Sequence, residues 1–185
     1  MDRRFIRNRA FEIVQDYGPN TQTLKWLEEV IKCLDDKEDE VPSHEVYFSP
    51  GEACRQKIIA LCGQAKKSIK VCVFTISDNP ISQAILKAHQ RGVDVRVISD
   101  DDKSFDKGSD VDRLSREGVP VRLDKSPDHM HHKFAIFDGS ELLNGSFNWT
   151  RSASEVNREN ILVTNTRALI KPYVKEFDRL WSDLA

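Results

Sequence analysis

HMHHKFAIFDGSELLNGSFNWT, residues 129–150, carries three of the chain's five histidines within four positions, at 129, 131 and 132. Lys133, Asp138 and a Gly145-Ser146-x-Asn148 follow. Two apolar runs, HKFAIFD (132–138) and ELLNG (141–145), flank Asp138-Gly139-Ser140, the pattern of a hairpin. If residues 129–138 are extended, side-chain alternation puts His129, His131, Lys133, Ala135 and Phe137 on one face. His132, Phe134, Ile136 and Asp138 take the other. His131 and Lys133 then project together, roughly 7 Å apart along the strand. Such a pair makes either a polar strand edge or an anion site. Gly145 allows close backbone approach and exposes amides, and Ser146 and Asn148 add neutral donors. Imidazole can attack phosphorus or carry a proton near neutral pH. Lysine and asparagine can hold non-bridging oxygens and stabilise charge that builds in the transition state. No acidic cluster follows in sequence to hold Mg²⁺, so these residues point to phosphoryl transfer without a metal or other cofactor.

Working outward, EVYFS (45–49) alternates as a strand, 52–66 reads as a helix and SIKVCVFTI (68–76) as a buried strand. Pro80 opens a helix that Gly92 closes. DVRVIS (94–99) and VPVRL (119–123) are strands, with a helix over 109–117 between them. ENILVT (159–164) is a further strand. An amphipathic helix over 166–183 presents Leu169, Tyr173, Phe177, Leu180 and Trp181. Strand–helix alternation followed by a strand cluster predicts an α/β fold with a mixed sheet flanked by helices on both faces. Residues 1–43 differ. An amphipathic helix over 1–17, a break at Gly18-Pro19-Asn20, and a second helix capped by Thr21 or Thr23 make an N-terminal helical hairpin. The charged DDKEDE (35–40) links it to a main domain at 44–185.

The bulk numbers set limits. The net charge of −2 over 185 residues gives no global basic field, so nucleic acid would need a local patch. Arg151, Arg158, Lys103 and Lys107 could form one, or simply solubilise the surface. None of Cys33, Cys54, Cys62 and Cys72 forms a zinc-spaced set, which suits buried free thiols in a reducing compartment. The N-terminus has no apolar run of leader length, and VCVFTI (71–76) is too short to span a bilayer. The expectation is a cytosolic protein with no membrane span.

The ordered set His131-x-Lys133-x₄-Asp138-x₆-Gly145-Ser146-x-Asn148 fixes six residues over 18 positions. It resembles, without a gap, the HKD signature of the phospholipase D superfamily. The longer string MHHKFAIFD…NGSFNWT…NREN is most similar to the single-motif branch, which includes small bacterial endonucleases and the mitochondrial cardiolipin hydrolase/Zucchini group. The resemblance covers roughly residues 45–183. It implies the phospholipase D-like fold, no cofactor, and a phosphohistidine intermediate formed on His131. Lys133 and Asn148 would bind phosphate oxygens with Ser146 assisting. Asp138 and Gly145 would support the motif. Glu159 would hydrogen-bond the motif histidine, raise its pKa and place the activity optimum at or slightly below neutral pH. One active site in this superfamily needs two motifs, and this chain has one HxK. A homodimer with a composite site on its twofold axis is therefore implied. The zinc-binding insertion and membrane helix of the Zucchini group and the leader of the periplasmic nucleases are not found within these 185 residues, which makes the lipid reading the weaker expectation.

An endonuclease acting on DNA or RNA is the first expectation, and a phospholipase acting on cardiolipin or a similar lipid is the second. A binding module with an idle motif is disfavoured by the intact His131, Lys133, Asn148 and Glu159. His129 could touch substrate or only pack. Trp149 could pack in a core or interface, or stack on a base. Asp100-Asp101-Asp102 at a strand end could be read as a metal site, but three successive side chains cannot all face one ion. The N-terminal hairpin could bind a protein partner.

Overall fold

The alternation after residue 43 closes into one mixed sheet. The structure, a computed structural model, describes residues 3–35, 42–100 and 109–185. All but the first residue of the charged linker 35–40, together with Asp101, Asp102, Lys103 and Lys107, lies outside the described residues. The chain divides into two compact units, Met1–Val41 and Pro42–Ala185. In the first, α1 (Arg3–Tyr17) and α2 (Thr21–Asp35) are joined through Gly18, whose φ is 77°. Asn20, rather than either threonine, caps α2: its Oδ1 accepts the N–H groups of Gln22 and Thr23 at 2.9 and 3.0 Å. Thr23 Oγ1 returns the favour by accepting the Asn20 N–H at 2.9 Å.

The second unit runs β1 (His44–Phe48), α3 (Ala53–Gln64), β2 (Ser68–Val73), β3 (Ile76–Ser77), α4 (Asn79–Gln90) and β4 (Asp94–Asp100). It continues with α5 (Val111–Arg116), β5 (Val121–Asp124), β6 (Lys133–Phe137), β7 (Glu141–Gly145) and β8 (Trp149–Thr150). It ends with α6 (Arg151–Glu155), β9 (Asn160–Thr164) and α7 (Arg167–Asp183). Seven strands form the sheet in the order β1-β9-β7-β6-β2-β4-β5, with β2, β4 and β5 parallel and the other pairings antiparallel. Alternation along each strand feeds two cores. Val71, Val73, Ala135, Phe137 and Leu143 pack with Ile58, Leu61, Ile81 and Ile85 of α3 and α4. Cys72, Ile98, Phe134, Ile136 and Leu142 pack with Ile170 and Phe177 of α7. The expected mixed sheet with helices on both faces is what forms.

Two local expectations need correcting. Residues 129–132 are not strand, and β6 begins only at Lys133. The run 68–76 breaks after Val73. Phe74 still donates its N–H to the His132 carbonyl at 3.0 Å, but the Thr75 carbonyl accepts the Trp149 N–H at 3.3 Å. The chain splays there so that β3 can pair with β8 in a separate two-stranded sheet. Neither that pair nor α6 is visible as periodicity, because two-residue strands carry none.

Asp138 closes the β6–β7 hairpin with a φ of 54°. Its carboxylate accepts the N–H groups of Lys66, Lys67 and Ser68 at 2.9, 2.7 and 2.9 Å, which pins the turn to the start of β2. Its pKa lies below the usual carboxylate value: burial alone would raise it, and the backbone N–H bonds outweigh that.

Candidate active site

The sheet order brings one end of every strand to a single edge. β6 runs antiparallel to β2 and β7, and β7 antiparallel to β9. The N-terminal ends of β6 and β9 therefore meet the C-terminal ends of β1, β2, β4 and β7. His131 and Lys133, Gly145 to Asn148, and Glu159 all lie at this edge. So does Asp100, at the end of β4, which the sequence reading offered only as part of a doubtful metal site.

Phe74 is the floor of the cluster. The His131 ring packs against it at 4.8 Å between centroids, and the His129 ring meets it edge-on at 5.5 Å. The Lys133 ammonium sits over the same ring at 5.3 Å and donates to the His131 carbonyl at 2.8 Å. Lys133 is only 8% exposed, whereas both histidines are exposed. Burial lowers the lysine pKa, and the Glu159 charge acts in the opposite direction. A cation this confined loses little further entropy on gripping an anion.

Gly145 is required by space. A Cβ there would lie 2.0 Å from the Asn160 carbonyl oxygen and 2.9 Å from Ile161 Cα. That close approach lets Ser146 donate its N–H to the Asn160 carbonyl at 3.1 Å, while its Oγ accepts the Asn160 N–H at 3.2 Å. Ser146 is thus engaged in bracing β7 against β9. Asn148 is half-buried, and its Oδ1 is buried without a hydrogen-bond partner. An unpaired buried acceptor costs free energy, and a hydrogen-bond donor at this edge would relieve it. Trp149 is fully buried in the core, which answers the stacking alternative.

Among the described residues of one chain, Glu159 makes no hydrogen bond to His131. Its backbone is latched to β1: Ser49 donates its N–H to the Glu159 carbonyl at 2.9 Å, and Ser49 Oγ accepts the Glu159 N–H at 3.0 Å. Its carboxylate accepts from Asn157 Nδ2 at 3.3 Å. The pKa of His131 is lowered, not raised, first by desolvation and then by the charges of Lys133 and His129, with Asp100 alone opposing. The backbone latch fixes which way Glu159 leaves its strand, and strand order cannot reveal such a latch.

Asp100 is the residue that sequence reasoning missed. It is 2% exposed, accepts the Met130 N–H at 2.9 Å, and lies 3.5 Å from His129 Nδ1. His132 turns to the opposite side, within 4.0 Å of Glu176 on α7. Between the histidine segment and α7 opens a cavity of about 380 Å³, whose lining includes His129, His131, His132, Glu176 and Arg179. Among the described residues no three His, Cys, Asp or Glu side chains are grouped to hold a metal ion. No helix among them is long and apolar enough to cross a membrane. Cys54, Cys62 and Cys72 are buried free thiols and Cys33 is exposed. Burial pushes Cys62 and Cys72 up to about 12.

Residues 58–181 match the family model described as cardiolipin synthase, PLD-like domain. The chain is 39% identical over 165 residues to a mitochondrial cardiolipin hydrolase of Chlamydomonas reinhardtii, covering 89% of this chain and 74% of that protein. It is 46% identical over 127 residues to a mitochondrial cardiolipin hydrolase of Xenopus tropicalis, covering 69% and 60%. The fold matches a crystal structure of a phospholipase D family member, Nuc, from Salmonella typhimurium. The TM-score is 0.72 at 28% identity, over 76% of this chain and 95% of that one. These relatives overturn the cytosolic expectation, since the hydrolases carry a mitochondrial address in their names. The expectation rested on a missing apolar leader, a test blind to the amphipathic, arginine-rich segments that address proteins to mitochondria.

Proposed function

The chain belongs to the phospholipase D-like family, and on that premise we propose that it is a metal-independent phosphodiesterase that cuts nucleic acid through a phosphohistidine on His131. The observation that carries this reading is the packing of His131 and the confined Lys133 ammonium against the same Phe74 ring. An imidazole and a cation side by side at a strand end open to solvent support a nucleophile next to an anion-holding group. The lowered pKa of His131 favours the free base at neutral pH, the form that can attack.

An imidazole nitrogen of His131 donates its lone pair to phosphorus, and the bond to the leaving oxygen breaks. Lys133 and Asn148 hold the non-bridging oxygens as charge accumulates on them. The leaving oxygen takes a proton from a second imidazolium. Water then gives a proton to that imidazole and attacks phosphorus, and the N–P bond breaks to free His131. One chain offers one HxK motif, so the second imidazole is His131 of another copy in a twofold dimer. Arg151 and Arg158, both exposed near this edge, suit a polyanionic backbone.

A lipid phosphodiester is the second reading. The relatives' names favour it, and so does the exposure of Phe48 (68%) and Val156 (72%), which flank the Glu159 segment on the same edge. Labelled single-stranded DNA, duplex DNA, RNA and cardiolipin vesicles, each incubated with protein in excess EDTA, separate the two readings. Cleavage of nucleic acid by wild type and not by His131→Ala is expected. Release of phosphatidic acid without nucleic-acid cleavage would transfer the activity to lipid. Turnover by His131→Ala above about 1% of wild type would refute the nucleophile, since losing one costs several powers of ten.

A further inference from the structure

We propose that Asp100, a buried carboxylate at the end of β4, is a positioning residue that holds the histidine segment and supplies the counter-charge for His131. The proposal rests on His131 being the nucleophile. Three observations carry it. Asp100 Oδ2 accepts the Met130 N–H at 2.9 Å, fixing the backbone between His129 and His131. The same oxygen lies 3.5 Å from His129 Nδ1, so it holds the segment at two successive residues. Asp100 also donates its own N–H to the Phe74 carbonyl at 3.4 Å, and Ser99 Oγ donates to that carbonyl at 3.1 Å. The ends of β2 and β4 thereby set both the floor under the imidazoles and the carboxylate beside them.

The electrostatics agree with the geometry. His129 and Lys133 from its own segment oppose a positive charge on His131, and Asp100 favours one. Asp124 on β5 and Glu176 and Arg179 on α7 line the adjoining cavity, and Glu159 acts on Lys133. Attack on phosphorus turns the neutral imidazole into a phosphorylated, positively charged ring. A buried negative charge nearby stabilises that product more than the free base, and so lowers the barrier.

Asp100→Asn tests the idea, because the carboxamide oxygen can still accept the Met130 N–H while the charge is gone. Turnover of bis(p-nitrophenyl) phosphate over a range of pH is the assay, with His131→Ala alongside. Without the carboxylate the protonated imidazole is disfavoured, so the acid limb of the rate profile moves to lower pH. The charged intermediate also loses its partner, so kcat falls about tenfold or more while KM changes little. Slower turnover that persists to lower pH is a pairing that a merely loosened loop does not produce. Asp100→Ser keeps a hydroxyl acceptor for Met130 and answers the same question should the asparagine variant fail to fold. A kcat within twofold of wild type, or a fall in kcat with the acid limb unmoved, would overturn the proposal. Retained turnover in His131→Ala would instead refute the reading beneath it.

Discussion

Gly145→Ala should separate β7 from β9 at the point where the active site is anchored. The added methyl would stand 2.0 Å from the Asn160 carbonyl oxygen, 2.9 Å from its carbon and 2.9 Å from Ile161 Cα. All three are backbone atoms, so no side chain can swing away. Relief to an ordinary contact needs roughly 1.4 Å of strand separation at Gly145↔Ile161. Overpacking of this kind costs about 1–3 kcal/mol, and occasionally more. The same movement stretches the two Ser146–Asn160 bonds, at 3.1 and 3.2 Å, each worth about 1 kcal/mol. The expected loss is about 3–5 kcal/mol, a large share of the roughly 5–15 kcal/mol that holds a domain together. Urea denaturation followed by far-UV circular dichroism measures it directly. Thermal melting should show a drop of roughly 6–20 °C for a chain of this length. Turnover should fall as well below the melting range, because Asn148 lies three residues on. A variant within 1 kcal/mol of wild type and fully active would show that the strands absorb the methyl, and would refute the steric account of this glycine.

Asp138→Ala should destabilise the fold by about 2–4 kcal/mol, since it strips the acceptor from three N–H groups and puts alanine at positive φ. Asp138→Asn should cost less, because asparagine tolerates that φ and keeps one oxygen. The folded pKa is depressed, so the carboxylate's contribution is fully present above its unfolded value of about 3.9. It is lost as pH falls through the lower folded value, so the gap between wild type and Asp138→Ala in urea titrations should close in acid. A gap independent of pH would refute the charged hydrogen bonds. Because the His131 pKa is lowered, the acid limb of wild-type turnover should lie below the ordinary imidazole value of 6.5. A limb above it would restore the raised histidine that the Glu159 assignment required.

The fold was legible where periodicity was long enough to fix a face. Residues 133–137 alternate Ala135 and Phe137 toward α3 and α4 against Phe134 and Ile136 toward α7, and the sheet honours that division. Helix ends were legible to within a residue or two where one residue type governs them. The α2 cap shows the limit: Asn20, Thr21 and Thr23 can all cap, and the reciprocal bond between Asn20 and Thr23 decides. The break after Val73 left no local signal. It arises because Thr75 and Trp149, 74 positions apart, satisfy each other's backbone groups.

The candidate site divides along the same physical line. His131, Lys133, Asp138, Gly145 and Asn148 come from one hairpin and its exit, so spacing along the chain nearly determines their spacing in space. Phe74 directly follows β2 and Asp100 ends β4, and they reach the histidines only because β6 lies beside β2 and β2 beside β4. Periodicity assigns each strand a face but not a neighbour, so neither residue could be foreseen. The charge around His131 therefore belongs to strand order, whereas the set of reacting groups belongs to the motif. Glu159 follows from that distinction. Its position in NREN matched a motif, but the Ser49 latch aims its carboxylate, and the charge it supplies within one chain falls on Lys133. Glu159 thus favours the protonated form of Lys133 and works against the effect of that lysine's burial, an influence on the cation and not on the imidazole.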